Sequence, residues 1–415
     1  MSFTSVEQSR ERSCERSRWG DVYLVAGSRA VSVCGDFLAA TTLALVLAER
    51  GHGGLAVSGL MLAASLPLAL LAPITGRVAD RVDSRVILTV VPTLQAVVCL
   101  VLAFTSHPVA IIGLVALLAC GLAFTQPVLG ALLPEMVRPA DLPKASGLSQ
   151  TAGNIGMLVA PALAGVLVGQ TGSQLPLLID AASYLALVGA ALLVRTRRRA
   201  HPSSRGALVP WRLRDDRTLT VMVGVLAATI AAVSAIGVIE VFFIRDTLGA
   251  STTVFGIVAA AWTGGMLLGN VLFSRVPPRL ITVPALLLVV IGSCVPVLVA
   301  AAVPGPYWIL PLWIAGGVCN GGMNVFIMVI VSGRTPAAAR GRAFATLSAA
   351  VQGAGMAGLL AAGPLVDRFD ARLLFALVGA FGLVTAICGL AVVRREPPSD
   401  PVTSTSRPPR DSVAA

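Results

Sequence analysis

Gly76-Arg77-Val78-Ala79-Asp80-Arg81-Val82-Asp83-Ser84-Arg85 is the stretch on which the reading of this chain turns. It sets three arginines and two aspartates within ten residues, and a long apolar run lies on either side. The same alternation of apolar run and short charged interruption continues along all 415 residues. Hydrophobic residues make up 56% and charged residues 12%, about half the charged share usual in a soluble domain. Because the charges cluster, runs of about twenty residues are left nearly free of them. At 1.5 Å per helical residue such a run crosses a hydrocarbon core of roughly 30 Å. The chain reads as an integral membrane protein.

Twelve spans are expected, at about 22–48, 54–75, 86–105, 109–133, 145–169, 174–194, 218–244, 253–273, 280–302, 307–332, 342–364 and 373–393. Only helices and closed barrels satisfy their backbone in lipid. Barrel strands alternate over about ten residues, and these runs do not. The expected fold class is therefore an all-α membrane protein. Its longest charged interruption, 195–217, separates two six-helix bundles at 21–194 and 218–394, with tails at 1–20 and 395–415. Shifting the first half by 198 residues places Lys144 on Arg342, Asn154 on Gln352, Gly165 on Gly363 and Gly51 on Gly249. Such a duplication puts a binding site near the midplane between the halves.

With both termini inside, 26 of the 31 basic residues fall in inner segments and four (Arg50, Arg245, Arg368, Arg372) in outer loops. That bias orients the chain with both termini in the cytoplasm, in the cell membrane. It also explains the net charge of +11 without nucleic acid, because the arginines recur in alternate loops and form no single patch. Seven cysteines show no Cys-x-x-Cys pairing and read as small packing residues. His52, His107 and His201 lie in separate loops. No catalytic residue, metal site or cofactor is expected, and the chain is not read as an enzyme. The first twenty residues lack the short apolar core of a signal peptide and read as a cytoplasmic tail.

Away from the span ends, four charged side chains fall inside the spans: Arg29, Asp36, Asp180 and Glu240. A charge at the bilayer centre costs roughly 2.5–3.5 kcal/mol on insertion scales, so each needs a reason. Asp36, near the middle of span one, is the leading candidate for a proton-coupling carboxylate. Asp180 and Glu240 are expected within one or two turns of the outer surface, in reach of water, as further candidates. Arg29 stands seven residues before Asp36, about 10 Å along the axis, and is expected to pair with another helix or snorkel. Polar residues expected to line a central cavity are Asn154, Gln352, Gln126, Asn320 and Asn324.

Gly76-x-x-x-Asp80-Arg81-x-x-x-Arg85 resembles the signature loop of the major facilitator superfamily, which has a second glycine and a basic residue where this chain has Asp83 and Ser84. Gly156-Met-Leu-Val-Ala160-Pro161-Ala-Leu-Ala164-Gly165 resembles the glycine–proline signature of its proton-coupled drug antiporters, with alanine for glycine at 160 and 164. The run from Ala131 to Leu148, and Gly35-Asp36, look like the enterobactin-exporter and macrolide-efflux branch. An arginine carried by many antiporters in span four has no counterpart in 109–133. The resemblance implies a monomeric secondary transporter that exports a lipophilic small molecule against proton entry, the proton gradient being its energy source. An importer on the same fold, or a non-transporting sensor or scaffold, is the alternative.

Two loops are expected to gate. Gly76, Asp80, Arg81 and Arg85 belong to the inner one, where Asp80 is expected to approach the positive end of span eleven. Gly363-Pro-Leu-Val-Asp367-Arg368-Phe-Asp370-Ala-Arg372 repeats the pattern, and the span count places it outside. The pair reads as an inner and an outer latch. Gly156, Pro161 and Gly165 are expected to form a pliable helix at the junction of the halves.

Overall fold

In a computed structural model the protein is described over residues 17–194, 196, 216–335 and 340–394, with backbone alone at 73, 76, 77, 79–81, 139, 143, 278 and 340–342. Twelve helices are long and apolar enough to cross a membrane. They are α1 Trp19–Glu49, α2 Gly53–Arg81, α3 Ser84–Ala103, α4 Pro108–Met136, α5 Leu142–Thr171 and α6 Gln174–Leu193 in the first half. The second half contains α7 Arg217–Phe242, α8 Thr252–Phe273, α9 Val283–Ala300, α10 Ile309–Arg334, α11 Arg340–Val366 and α12 Ala371–Arg394. No strand occurs among the described residues.

Short polar residues start several helices by accepting from a free backbone N–H of the first turn. Asp83 serves α3, Asp216 α7, Ser251 α8 and Thr282 α9. The α1–α2 turn needs φ of 73° at Gly51 and 72° at Gly53, a region open to glycine at little cost. One expectation is corrected. Gly76 to Arg81 do not form a loop, because α2 runs through Arg81 and leaves only Val82 and Asp83 before α3. A helix satisfies its own backbone on either side of the membrane boundary, so charged residues outside the hydrocarbon need not end it.

The halves pack alike. In the first, α1 lies on α5 and α6, α2 on α4, and α3 on α4 and α6. In the second, α7 lies on α11 and α12, α8 on α10, and α9 on α10 and α12. Gly265 and Gly269 of α8 meet Gly317 and Gly321 of α10 in a pair of Gly-x-x-x-Gly stripes, where a Cβ at any of the four would strike facing backbone.

The two most extensive contacts between the halves are α5 with α8 and α2 with α11; α1 and α2 also touch α7. Near the end that carries Glu49 and Asp367, one apolar core draws on both halves, including Leu45, Val57, Phe243 and Phe375. At the opposite end, where the arginine-rich connections lie, the core divides in two. One part holds Val22, Leu132 and Val194 of the first half, the other Leu219, Phe326 and Val393 of the second. The described bundles are thus fused at one end and separate at the basic end.

Candidate coupling and gating site

Within the first bundle, α6 presents Asp180, Ser183 and Tyr184 at i, i+3 and i+4, hence on one face. Gly35 of α1 sits against that face so closely that a Cβ there would strike the Asp180 and Ser183 side chains. The missing side chain lets α1 lie on α6 and sets Asp36 beside Tyr184. The Tyr184 hydroxyl donates to Asp36 Oδ1 at 2.5 Å. Asp180 is fully buried, with Oδ1 accepting from Ser183 Oγ at 3.2 Å and Oδ2 from Cys99 Sγ of α3 at 3.3 Å. Both carboxylates line a cavity of about 80 Å³ between α1, α2, α4 and α6, whose other walls include Ala64, Val115 and Leu118. That space holds about two to three waters at liquid density. Among the described residues no cation pairs with either carboxylate.

Asp180 therefore differs from the expectation that water reaches it near the outer end of its span. It does stand in the second turn of α6, but it points into the bundle. Arg29 reaches across to α5, where its Nη1 donates to Ser149 Oγ at 3.1 Å, and it leaves Asp36 without a countercharge. Glu240 accepts from Trp313 Nε1 of α10 at 2.9 Å. Trp313 is buried in an aromatic group with Trp262 and Phe375, their ring centroids 5.9 Å away in each case.

The signature of α5 is split between two contacts. Gly156 packs on the backbone of α1 at Ala30, inside the first half. Pro161 and Gly165 face Gly256 and Thr252 of α8, across the halves. Among the polar residues expected in a central cavity, Asn154 and Asn320 are half-buried while Gln126, Asn324 and Gln352 are exposed. No described hydrogen bond joins any two of them.

The repeated motif shows matching geometry at the two ends. Asp83 Oδ1 accepts from the Arg85 N–H at 2.8 Å, and Asp370 Oδ1 from the Arg372 N–H at 2.6 Å, each starting the next helix. Arg85 donates to the carbonyls of Ala191, at 3.2 Å, and Leu192 at the end of α6. Arg372 donates to those of Ala301 at 3.1 Å and Val303 at 3.0 Å after α9. Both guanidinium groups thereby sit at the negative end of a helix. Asp367, just past α11, accepts from the N–H of Gly54 at 2.6 Å and of Leu55 at 3.4 Å, in the first turn of α2. Gly363 packs on Gly54 and Ser58 directly below. Arg368 lies exposed beside this contact. The side chains of Asp80 and Arg81, and the surroundings of Gly76, lie outside the described residues.

Sequence reasoning missed three participants. Tyr184 and Cys99 gave no signal as single residues in apolar runs, although Asp180-x-x-Ser183-Tyr184 is a polar stripe at helical spacing. The ion pair of Arg245 with Glu49, at 2.5 Å, also joins the halves. It follows from one wider helical turn at Phe243–Thr247, which no apolar pattern announces.

Two like-packed six-helix bundles, joined at one end and separate at the other, the first enclosing two carboxylates of its membrane helices, define a polytopic membrane transporter. The Major Facilitator Superfamily model matches residues 25–294 and 219–415, and the chain belongs to that superfamily. It is 26% identical over 405 residues to the multidrug efflux pump Tap of Mycobacterium tuberculosis, covering 91% of this chain and 94% of Tap. It is 23% identical to the uncharacterized MFS-type transporter YfiS of Bacillus subtilis, covering 91% and 95%. A segment of 150 residues is 27% identical to macrolide efflux protein A of Streptococcus pyogenes, covering 35% of this chain and 37% of that protein. Among solved structures, the nucleoside transporter NupG superposes with a TM-score of 0.71 at 15% identity, over 91% of this chain and all of that one. A bacterial homologue of the lysosomal transporter Spinster gives 0.72 at 14% identity, over 92% and 98%.

Proposed function

We propose that the protein exports a lipophilic small molecule from the cytoplasm across the cell membrane in exchange for protons. One observation carries this reading. Asp36 is a carboxylate in the middle of a membrane helix, at the wall of a small cavity, with a hydroxyl donor and no described cation beside it. A charge so placed is costly unless it is used, and a carboxylate that alternately binds and releases a proton is the simplest use. Efflux proteins among the relatives at 26% and 27% identity support export. The likeness to a nucleoside transporter speaks for the fold alone, because fold fixes neither direction nor substrate.

The cycle follows from the joined and separated ends. The basic connections mark the cytoplasmic side, so the bundles separate inward and are closed outward by Asp367 on α2, Arg245 on Glu49 and α5 on α8. Substrate enters between the bundles from inside. Asp36, having released its proton inward, is the acceptor for Tyr184. When the outer contacts open and the inner ends close, Asp36 takes up a proton from outside, substrate leaves, and the protonated transporter returns. Each step needs a shift of only a few kcal/mol between the two forms.

Everted vesicles test the reading, with a radiolabelled macrolide and the lipophilic cation ethidium as probes. An interior made acid relative to the medium should drive accumulation, and a protonophore should abolish it. Accumulation that ignores the pH gradient would contradict proton exchange, and accumulation only in vesicles of native orientation would make the protein an importer.

A further inference from the structure

The bond between Tyr184 and Asp36 has more to it than a buried hydroxyl finding a partner. Its 2.5 Å separation lies in the range of an O–H donor facing an ionised oxygen. Tyr184 is 2% exposed and its ring is part of the apolar core that fuses the two halves, so the hydroxyl is held in place from below. Asp36 belongs to α1, which touches α7 of the second half and packs on α5, the helix that bears on α8. The hydroxyl therefore links the carboxylate to the apolar core that the two halves share.

The other groups around Asp36 leave this role to Tyr184. Asp180, one turn earlier on α6, has its oxygens occupied by Ser183 and by Cys99 of α3. Arg29, the cation on α1 itself, is directed to Ser149 of α5. From α2 and α4 the cavity receives apolar side chains only, among them Ala64, Val115 and Ala119.

We propose that Tyr184 is a positioning residue for Asp36: its hydroxyl holds the ionised carboxylate against α6 while the outer end is closed, and that bond changes when Asp36 is protonated. This rests on the reading of Asp36 as the coupling group. The step balances simply. A proton from water forms an O–H bond on the Asp36 carboxylate, Tyr184 keeps its own proton, and no electrons move. The neutral acid is a weaker acceptor, so the tie between α1 and α6 loosens as the outer end opens.

Acid-minus-alkaline infrared difference spectra of the reconstituted full-length protein test this without any substrate. The chain has three tyrosines, and Tyr23 and Tyr307 are exposed, so a Y23F/Y307F background leaves Tyr184 as the only source of a tyrosine ring band. In that background a carboxylic C=O band and the tyrosine band should appear with one common midpoint, and Asp36→Asn should remove both. Adding Tyr184→Phe should keep the carboxyl band, remove the tyrosine band and displace the midpoint by about half a pH unit or more. A tyrosine band that is absent or titrates separately overturns the proposal, and so does an unmoved midpoint in the Tyr184→Phe protein. Should that variant fail to assemble, the common midpoint in the background protein decides alone. A carboxyl band that survives Asp36→Asn unchanged defeats the coupling role of Asp36 instead, whatever Tyr184 does.

Discussion

Asp367, at the end of α11, accepts a hydrogen bond of 2.6 Å from the backbone N–H of Gly54, in the first turn of α2. The first turn of one bundle is thus capped by a side chain of the other. His52, which precedes α2, makes no side-chain cap of its own. Opening that end uncaps α2, so the contact adds a polar tie to the apolar core that the two halves share there.

Asp367→Asn should loosen the joined end. The carboxylate is exposed, so its interaction with the helix terminus contributes roughly 0.3–1 kcal/mol. Spin labels at the exposed residues Leu55 and Phe369 report the gap between α2 and the turn after α11. The population at long distance should rise about two- to fivefold in the variant. An unchanged distance distribution would remove Asp367 from the gate.

Gly54→Ala should act more strongly at the same place. A Cβ there would stand 2.7 Å from the Gly363 carbonyl and 2.9 Å from Val366 Cβ, and backbone cannot yield as a flexible side chain does. The same labels should show the joined state depleted, and transport should fall by about tenfold or more, the usual scale for overpacking by 1–3 kcal/mol. Wild-type transport by Gly54→Ala would mean that this close approach is dispensable to the cycle.

The ion pair of Arg245 with Glu49 should matter little. Its side chains are 22% and 39% exposed, and such pairs contribute about 0–1 kcal/mol. A double-mutant cycle with Arg245→Gln and Glu49→Gln, read by the same distances, should give a coupling below about 1 kcal/mol. A larger value would make this pair, and not Asp367, the main closure.

Glu240 is best separated from the coupling group by its partner. Glutamine retains an oxygen to accept from Trp313 Nε1, so Glu240→Gln should transport within about twofold of wild type. Glu240→Leu strands a buried indole N–H, which costs about 1–3 kcal/mol, and should lower thermal stability in detergent. Loss of gradient-driven transport in Glu240→Gln with stability intact would make Glu240 a second proton site.

The fold was legible because lipid imposes it. A run such as 283–300 holds no Asp, Glu, Lys, Arg or His and no alternation, so hydropathy alone fixes it as a span. Asp36 was legible for the same reason, since a lone carboxylate in such a run is conspicuous. Its surroundings were not. Tyr184 is distant in sequence, and only the absence of a side chain at Gly35 brings the two together. The burial of Asp180 depends on which way one helix face turns, which an apolar run of 20 residues leaves open. The pattern at Gly363–Arg372 could be read directly, but its partner could not, because Gly54 contributes only a backbone N–H.

Whether proton exchange passes through Asp36 is decided by a comparison of two transport modes. Proteoliposomes containing wild type or Asp36→Asn at equal protein density are assayed in two modes, pH-gradient-driven export and probe exchange at equal pH, with the macrolide and ethidium. Asp36→Asn should lose gradient-driven export by about a hundredfold, equivalent to roughly 2.7 kcal/mol, while exchange stays within about threefold of wild type. Gradient-driven export at the wild-type rate in Asp36→Asn would contradict proton exchange through Asp36.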